Sequence, residues 1–338
     1  MLIHAQRRCF IVDRASCLGM MANNGRYTSA INFCVNFDTQ ALSYMMQYFL
    51  EQKNDNDISD FLCKLASSKM DYTPLPYYIE NLGKDDASTR CGTWQSMMLY
   101  GFLMDALSEN NIKNPPADFY KSEYALKADE TYKYMHTAYN DPRFHMVLIT
   151  QKIIYAILLK CCLLKLANKY SKAAIKEFFD FVAYDVGAFF DREVSVCYLF
   201  LSKNDFPLFF KHIKPNAKNI LQKIRAMSWD LAHLRTLELM TSLDQNDNKV
   251  TFTLHSLMTY DKGLIEIVKA LPAKSMVFHK GEYRIFFKHL LPEMVSELDL
   301  SEYFTPENKK KREQVRQNLN IDALISELEN NICKGDVS

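Results

Sequence analysis

Two aspartates, Asp38 and Asp261, each follow an apolar run and precede a helical pattern. The run at 30–37 alternates in polarity and the run at 250–258 is rich in β-branched and apolar residues, so both favour β-strands. In open α/β sheets, ligands gather outside the carboxyl ends of parallel strands. If the two strands are neighbours, the two carboxylates meet there from opposite ends of the chain.

A pair of carboxylates in this setting has a definite chemistry. Clustered carboxylates repel one another unless a cation or a proton neutralises them. Hard oxygen ligands with open positions suit Mg²⁺ or Mn²⁺, which keep waters and engage phosphate oxygens. The arrangement supports in-line displacement at a phosphodiester by a metal-activated water. The competing interpretation is structural, because Asp is a preferred helix N-cap and either residue taken singly fits that role.

The rest of the chain is predicted to be mostly helical. Residues 57–222 carry broad apolar stripes between turn signals, and a long helix is expected at 217–241 with Asp230 near its middle. A short apolar run at 276–278 predicts another strand, and 321–332 is amphipathic. These elements predict a helix-rich chain with an α/β core.

Composition narrows the class of protein. Of the 338 residues, 48% are hydrophobic and 24% are charged, which is typical of a globular protein and excludes a disordered one. The formal net charge is +1. A nucleic-acid binder with this balance gathers its positive charge locally, because the overall field supplies almost no steering.

Cysteine usage and hydropathy predict a cytoplasmic protein that does not enter a membrane. The nine cysteines include no Cys-x-x-Cys pair, and several lie in apolar runs, so buried reduced thiols are expected. The most apolar region, 144–167, is interrupted by Gln151, Lys152, Lys160 and Lys165. Because a membrane span needs about 20 predominantly apolar residues, this region is predicted to be a buried helix.

Three segments resemble the PIN-like nucleases. Residues 36–42, Asn-Phe-Asp-Thr-Gln-Ala-Leu, are similar to the opening strand of that family, where an Asp followed by Thr and Asn begins the first helix. Residues 257–264, Leu-Met-Thr-Tyr-Asp-Lys-Gly-Leu, are similar to its late strand and its turn of threonine, any residue, aspartate and lysine. Residues 228–231, Ser-Trp-Asp-Leu, lie where the family carries its third acid. This chain departs from the pattern at Gln40, where the family usually has Asn.

The resemblance implies an α/β fold with a PIN-like parallel-sheet core built from both ends of the chain. The nuclease core would comprise 1–56 and 217–300, and a large, mostly helical insertion would occupy 57–216. Residues 301–338 would form a C-terminal helical tail.

The resemblance also implies a metal site and an activity. Asp38, Asp230 and Asp261 would hold Mg²⁺ or Mn²⁺, with Glu80 as the fourth acid from an earlier helix. The expected reaction is hydrolysis of RNA or single-stranded DNA. Proteins of this kind are often toxins or effectors in bacterial antiviral defence, so a regulatory protein partner or a homo-oligomer is expected.

Two assignments stay open. Asp13 ends a shorter version of the same strand signal and is the alternative to Asp38 as first acid. Five other acids compete with Glu80 for the fourth position: Asp71, Asp85, Glu130, Glu177 and Asp185.

Five residues are candidates for substrate binding: His233, Arg235, Lys262, Lys310 and Arg312. His233 lies three residues after Asp230 and would share its helix face. Lys310 and Arg312 belong to a basic run, 309–312, that could attract phosphates. Each has a structural alternative: a packed histidine, a helix pair of Arg235 with Glu238, or a solvated surface lysine or arginine.

Two other functions remain as alternatives. In one, the chain is a helical protein-interaction module whose PIN-like core is inactive, and the apolar face of 321–332 packs on a partner or a second copy. In the other, the chain is a metal-dependent phosphohydrolase that acts on nucleotides. Cleavage of nucleic acid that requires both a divalent cation and Asp261 separates the nuclease from the interaction module.

Overall fold

The structure is a computed structural model of the chain. It describes residues 3–4, 10–12, 28–50, 55–68, 70–82, 87–114, 122–138, 141–167, 171–215, 217–240, 243–246, 249–279 and 282–334. The chain divides into two compact units. Unit 1 comprises Met1–Met146 and His233–Asp261, and unit 2 comprises Val147–Ala232 and Lys262–Ser338.

The described strands fall within 3–37 and 243–287, with one short exception at 71–73. They are β1 (Ile3–His4), β2 (Phe10–Val12), β3 (Thr28–Phe37), β4 (Asp71–Thr73), β5 (Leu243–Asn246), β6 (Lys249–Thr259), β7 (Ala273–His279) and β8 (Glu282–Phe287).

Helices dominate between the strands and at the C-terminal end. They are α1 (Thr39–Leu50), α2 (Asn56–Ser67), α3 (Leu75–Leu82), α4 (Ala87–Ala106), α5 (Glu109–Lys113), α6 (Ser122–Ala138), α7 (Pro142–Leu166), α8 (Lys172–Asp180), α9 (Asp191–Lys203), α10 (Ile220–Met240), α11 (Lys262–Ala270), α12 (Leu291–Met294), α13 (Pro306–Asn318) and α14 (Ile321–Lys334). A π-helical segment, Phe181–Val186, and a 3₁₀ helix, Leu300–Phe304, complete the described set. The chain is thus helix-rich and of the α/β class.

Unit 1 is built on a mixed sheet whose centre is parallel. Among the described residues the strand order is β1-β2-β6-β3-β4, with β5 also paired to β6. β6, β3 and β4 run parallel, and β2 and β5 run antiparallel to β6. The expectation that the strands before Asp38 and Asp261 are parallel neighbours is therefore confirmed. Their pairing is continuous from Thr28 opposite Lys249 to Phe37 opposite Met258.

The core of unit 1 forms where α1 covers the end of β3. Val35 and Phe37 alternate on the strand, and Leu42 and Met45 follow at helical spacing on α1; all four are buried in one cluster with residues of α2, α3, α4 and α6. Burial of each such side chain contributes about 1.5 to 3 kcal/mol. This core fixes the junction between β3 and α1, where Asp38 lies.

The boundaries of the compact units differ from those of the predicted domains. Helices α2 to α6 belong to unit 1 with the sheet, although residues 57–216 were expected to form an insertion. Strand β7, expected beside the core, instead pairs with β8 in a separate two-stranded sheet within unit 2. The unit 1 helices join the sheet because their apolar faces pack in the same cluster as α1.

Most of α7 lies in unit 2. Among the described helices, its stretch Phe144–Leu166 is long and apolar enough to cross a membrane, yet 67% of the most apolar 18 residues of that stretch are buried inside the protein. That burial is typical of a core helix and is compatible with a soluble protein. The apolar face of α14 also packs within the chain, since Ile325 and Leu328 are buried and Glu329 accepts a hydrogen bond from the Tyr155 hydroxyl at 2.7 Å.

The described cysteines are free thiols and most of them are sheltered. Cys34, Cys161, Cys162 and Cys197 are buried, whereas Cys91 and Cys333 are exposed. Burial raises the pKa of the Cys34 thiol to about 12, with a smaller contribution from Asp71. The expectation of buried thiols is confirmed for these four positions. Cys9 and Cys17 lie outside the described residues.

Candidate functional site

The parallel pairing of β3 and β6 places Asp38 directly beside the end of β6. The last paired residues are Phe37 and Met258, and the Asp38 backbone N–H donates to the Met258 carbonyl at 3.3 Å. Asp38 therefore lies opposite Thr259, two residues before Asp261. The strand ends bring these segments together although they are more than two hundred residues apart in sequence.

Asp38 is buried and caps α1. Its Oδ1 accepts a hydrogen bond from the Ala41 backbone N–H at 2.7 Å, so the helix-cap role is real. Burial raises the pKa of Asp38 to about 6, and the Glu80 charge adds to that rise. Hydrogen bonds from the Thr259 side chain and the Ala41 N–H, and the nearby His233, act in the opposite direction. The carboxyl group is thus held in place, but its hydrogen bonds and His233 do not fully offset the cost of burying its charge.

Glu80, on α3, joins Asp38 at this strand end. The Thr39 hydroxyl donates to Glu80 Oε2 at 2.7 Å, and His233 Nε2 lies 3.3 Å from the same oxygen. The Glu80 side chain is 14% exposed and the His233 side chain 3%. The carboxylate of Glu80 is therefore oriented by two side chains and still reaches solvent. Among the acids considered for the fourth position, Glu80 is the one whose charge raises the pKa of Asp38.

Asp261 continues the same edge of the sheet. Its backbone N–H donates to Thr259 Oγ1 at 3.0 Å, and α11 begins at the next residue. The Thr259 side chain therefore contacts both the Asp38 carboxyl group and the backbone of Asp261. This threonine links the two predicted acids through one hydroxyl group.

A second polar pair lies further back along the two strands. The buried Asn36 amide donates to the Ser256 carbonyl at 3.1 Å and contacts His255 Nδ1 at 3.1 Å. The same amide also donates to the Cys34 carbonyl at 3.3 Å. Asn36 Oδ1 accepts no hydrogen bond from the described residues. Asn36 lies on β3 two residues before Asp38, which directly follows the strand.

The other predicted site residues fall at distinct places. Arg235 is half-buried on α10 in unit 1. Asp230, half-buried on α10, and Lys262, exposed at the start of α11, belong to unit 2. Lys310 is exposed on α13, whereas the Arg312 guanidinium lies 5.3 Å from the Phe189 ring centroid and 5.4 Å from that of Phe304. Arg312 is thus a packing residue as well as a candidate for phosphate contact.

The other acids considered for the fourth position lie away from Asp38 or outside the described residues. Asp71 is exposed and pairs with Cys34, four residues before Asp38 along the chain. Glu130 is exposed on α6, and Glu177 forms an ion pair with Lys160 at 2.6 Å in unit 2. Asp185 lies in the π-helical segment of unit 2. Asp85 and Asp13, the alternative first acid, lie outside the described residues.

The donor set determines which cation could bind. Within the described ranges, no group of three or more His, Cys, Asp or Glu side chains is arranged to hold a metal ion. Mg²⁺ commonly uses only one or two carboxylates, keeps several waters and takes further ligands from substrate phosphates. The hard oxygens of Asp38 and Glu80 fit that sparse kind of site. That Asp230 and Asp261 share the same ion stays a prediction.

Comparison with known proteins found no match: no family model, no curated protein and no solved structure matches this chain.

Sequence reasoning missed the two threonines that organise the acids. Both Thr39 and Thr259 lie in the segments that resemble the PIN-like family, at 36–42 and 257–264, but the sequence predicts no role for them. Their signal is position, because Thr39 directly follows the first acid and Thr259 stands two residues before Asp261. Short hydroxyl side chains at strand ends and helix starts commonly bond neighbouring polar groups.

Proposed function

We propose that this chain is a metal-dependent nuclease of the PIN-like type that hydrolyses phosphodiester bonds in RNA or single-stranded DNA. The observation that supports it is the meeting of Asp38 and Glu80 beside Thr39 and His233 at the carboxyl end of the parallel strands. This is the edge where open α/β sheets bind their ligands.

The energetics of Asp38 favour a functional role over a purely structural one. A helix cap needs only a hydrogen-bond acceptor, and Asn or Ser would supply it without a buried charge. Here burial raises the pKa of the carboxyl group, and a second carboxylate nearby adds to that rise. Groups whose pKa is shifted by burial and a nearby charge cluster at functional sites.

The residues of the site would have two kinds of role, metal binding and positioning. Asp38 and Glu80 would hold Mg²⁺ or Mn²⁺. When bound, the cation would neutralise the two carboxylates and attract the phosphodiester. The Ala41 N–H and the Thr259 hydroxyl hold Asp38, and the Thr39 hydroxyl holds Glu80. His233 lies within hydrogen-bonding reach of Glu80 and is placed to orient it or to exchange a proton with it.

The test is cleavage of labelled single-stranded RNA and DNA by the purified chain with Mn²⁺, Mg²⁺ or EDTA. Glu80→Gln and Asp38→Asn remove one charge each and keep the shape of the side chain. Asp71→Asn is the matched control, because it removes an exposed carboxylate from a neighbouring strand about 13 Å back along the sheet. We expect metal-dependent cleavage by the wild-type and Asp71→Asn chains, and a loss of about a hundredfold or more in the other two.

Two outcomes would contradict the nuclease. Cleavage that survives both substitutions would show that the activity comes from elsewhere. No cleavage of either nucleic acid with any cation would favour the alternative, a helical protein-interaction module with an inactive core. One observation favours that alternative, namely that the described residues contain no closed group of three metal ligands.

The biological setting of the proposal rests on the resemblance to PIN-like proteins. In that setting the chain would be a toxin or antiviral effector in the cytoplasm. A regulatory protein, or assembly with further copies of the chain, would restrain its activity. Asp230, Arg235, Lys262, Lys310 and Arg312 remain part of the proposal on the same basis. Substitution of Asp230 by Asn would show whether α10 contributes an acid to the reaction.

A further inference from the structure

An aromatic pair stands on the two chain segments that carry the acids. Tyr44 lies on α1, which begins directly after Asp38, and Tyr260 lies between Thr259 and Asp261. The two ring centroids are 4.6 Å apart, with an angle of 53° between the ring planes. The pair therefore joins the first turns of α1 to the segment that follows β6.

The two rings differ in exposure. The Tyr260 ring is half-buried and packs against the core of unit 1. Tyr44, in contrast, is 44% exposed, although its neighbours Leu42 and Met45 are buried. The Tyr44 ring is therefore exposed to solvent and held in place by its contact with the Tyr260 ring. Such a ring offers a flat face to a ligand.

The position of Tyr44 relative to the acids suits a polymer substrate. Tyr44 is six residues after Asp38, so the helical rise sets it about 9 Å further along α1. A group bound at the acids and a group on the Tyr44 ring would thus be separate parts of one extended molecule. Bases of single-stranded nucleic acid stack on exposed aromatic side chains, whereas the bases of a duplex are already paired and stacked.

We propose that Tyr44, supported by Tyr260, stacks on a base of single-stranded RNA or DNA whose backbone lies at Asp38 and Glu80. The proposal rests on the proposed function and adds to it a residue that binds a base of the strand. Stacking is tolerant of base identity because every base has a flat aromatic face. The site thereby selects single strands over duplexes without reading a particular sequence.

The test measures binding in Ca²⁺, which takes oxygen ligands and would neutralise the two carboxylates, and the probe is checked for intact length after each measurement so that the result does not depend on cleavage. The probe is a short single-stranded oligonucleotide containing 2-aminopurine, whose fluorescence changes when the base stacks. Tyr44→Ser removes the ring and Tyr44→Phe retains it; Ser and Tyr have similar helix propensities, so the fold should persist. Tyr134→Ser is the matched control, because Tyr134 is 70% exposed on α6 in the same unit.

The wild-type, Tyr44→Phe and Tyr134→Ser chains should bind with similar affinity, and Tyr44→Ser roughly tenfold more weakly. An oligonucleotide with abasic positions, or one annealed to its complement, should bind all four chains alike. Equal binding by Tyr44→Ser and wild type would overturn the proposal, as would no binding of any single strand by the wild type. Equal competition by a free nucleoside monophosphate would show that the occupant is a nucleotide and not a strand.

These results are separable from the cleavage assay. If the chain cleaves nucleic acid but Tyr44→Ser binds normally, the nuclease stands and the stacking site is wrong. If Tyr44→Ser loses binding while no cation supports cleavage, the stacking site stands and the nuclease is wrong.

Discussion

The Thr39 hydroxyl donates a 2.7 Å hydrogen bond to Glu80 Oε2, which joins the start of α1 to α3. Thr39 also follows Asp38 directly, so one short segment holds one acid and orients the other. Hydrogen bonds to charged groups contribute about 1.5 to 3 kcal/mol. The relationship explains how Glu80, on a separate helix, is fixed beside the strand end.

Replacement of Thr39 should therefore affect both stability and activity. Thr39→Val keeps the shape but removes the hydroxyl, and we expect the free energy of unfolding to fall by about 1 to 3 kcal/mol. Cleavage should fall by about tenfold or more, because Glu80 loses its orienting partner. Thr39→Ser, which keeps the hydroxyl, is the control. Urea unfolding and single-turnover cleavage measure the two effects, and equal values for Thr39→Val and wild type would remove this role.

The raised pKa of Asp38 predicts a specific pH dependence of stability. Its pKa rises from 3.8 to about 6 on folding, so between these pH values the folded chain binds more protons than the unfolded one. The contribution of Asp38 to the free energy of unfolding should therefore fall as the pH rises from about 4 to about 6, by about 3 kcal/mol in all. His233 and Glu80 face the same carboxyl group, and their charges also affect how the stability changes with pH.

Asp38→Asn isolates that contribution. Asn still caps the helix but carries no charge, so this variant should be more stable than wild type at pH 7 and should lack the decrease between pH 4 and pH 6. Urea unfolding from pH 4 to pH 7 in EDTA, for both chains, measures the difference. Parallel curves would show that Asp38 titrates as in the unfolded chain.

Gly187 is required by the backbone of unit 2. Its φ is +72°, and a Cβ atom there would lie 2.6 Å from the Arg312 carbonyl oxygen. Gly187→Ala should lower the free energy of unfolding by about 2 to 4 kcal/mol, from the left-handed conformation and the overlap together. Gly101→Ala is the control, since its Cβ would meet only ordinary contacts, the nearest at 3.7 Å. That change should raise the thermal midpoint slightly, because Gly weakens a helix interior.

Lys310 and Arg312 should behave differently although both belong to the basic run on α13. Lys310→Ala should leave stability unchanged and reduce the slope of log affinity against log salt by about 0.7 for single strands. Arg312→Ala should also lower the free energy of unfolding by about 1 to 2 kcal/mol, because the guanidinium covers two aromatic rings. Binding at several salt concentrations and urea unfolding separate the two. An unchanged salt slope for Lys310→Ala would remove it from the substrate surface.

The sequence allowed the centre of the sheet to be predicted but not all of its surroundings. The alternation before Asp38 and the β-branched run before Asp261 identify the two strands, and their shared ending in an acid predicts that they are neighbours. β4 was missed because three residues are too few to show a period. The choice of Glu80 among several acids depends on how α3 packs, which local patterns do not encode.

Local sequence patterns also did not predict which helices pack together. Residues 57–216 show apolar stripes, but a stripe does not say which partner will cover it. In the structure α2 to α6 cover the sheet of unit 1, whereas α7 to α9 belong to unit 2. The short apolar run at 276–278 was predicted correctly as a strand, yet its pairing with β8 depends on a hairpin and not on the acids.

Whether Asp38 and Glu80 share one divalent cation is tested most directly by titrating Mn²⁺ into the chain and measuring bound ion by electron paramagnetic resonance. One Mn²⁺ should bind to the wild-type and Asp71→Asn chains, and the affinity should be at least tenfold lower in Asp38→Asn and in Glu80→Gln. Binding that is equal in all four chains, or absent from the wild type, would contradict a shared metal site.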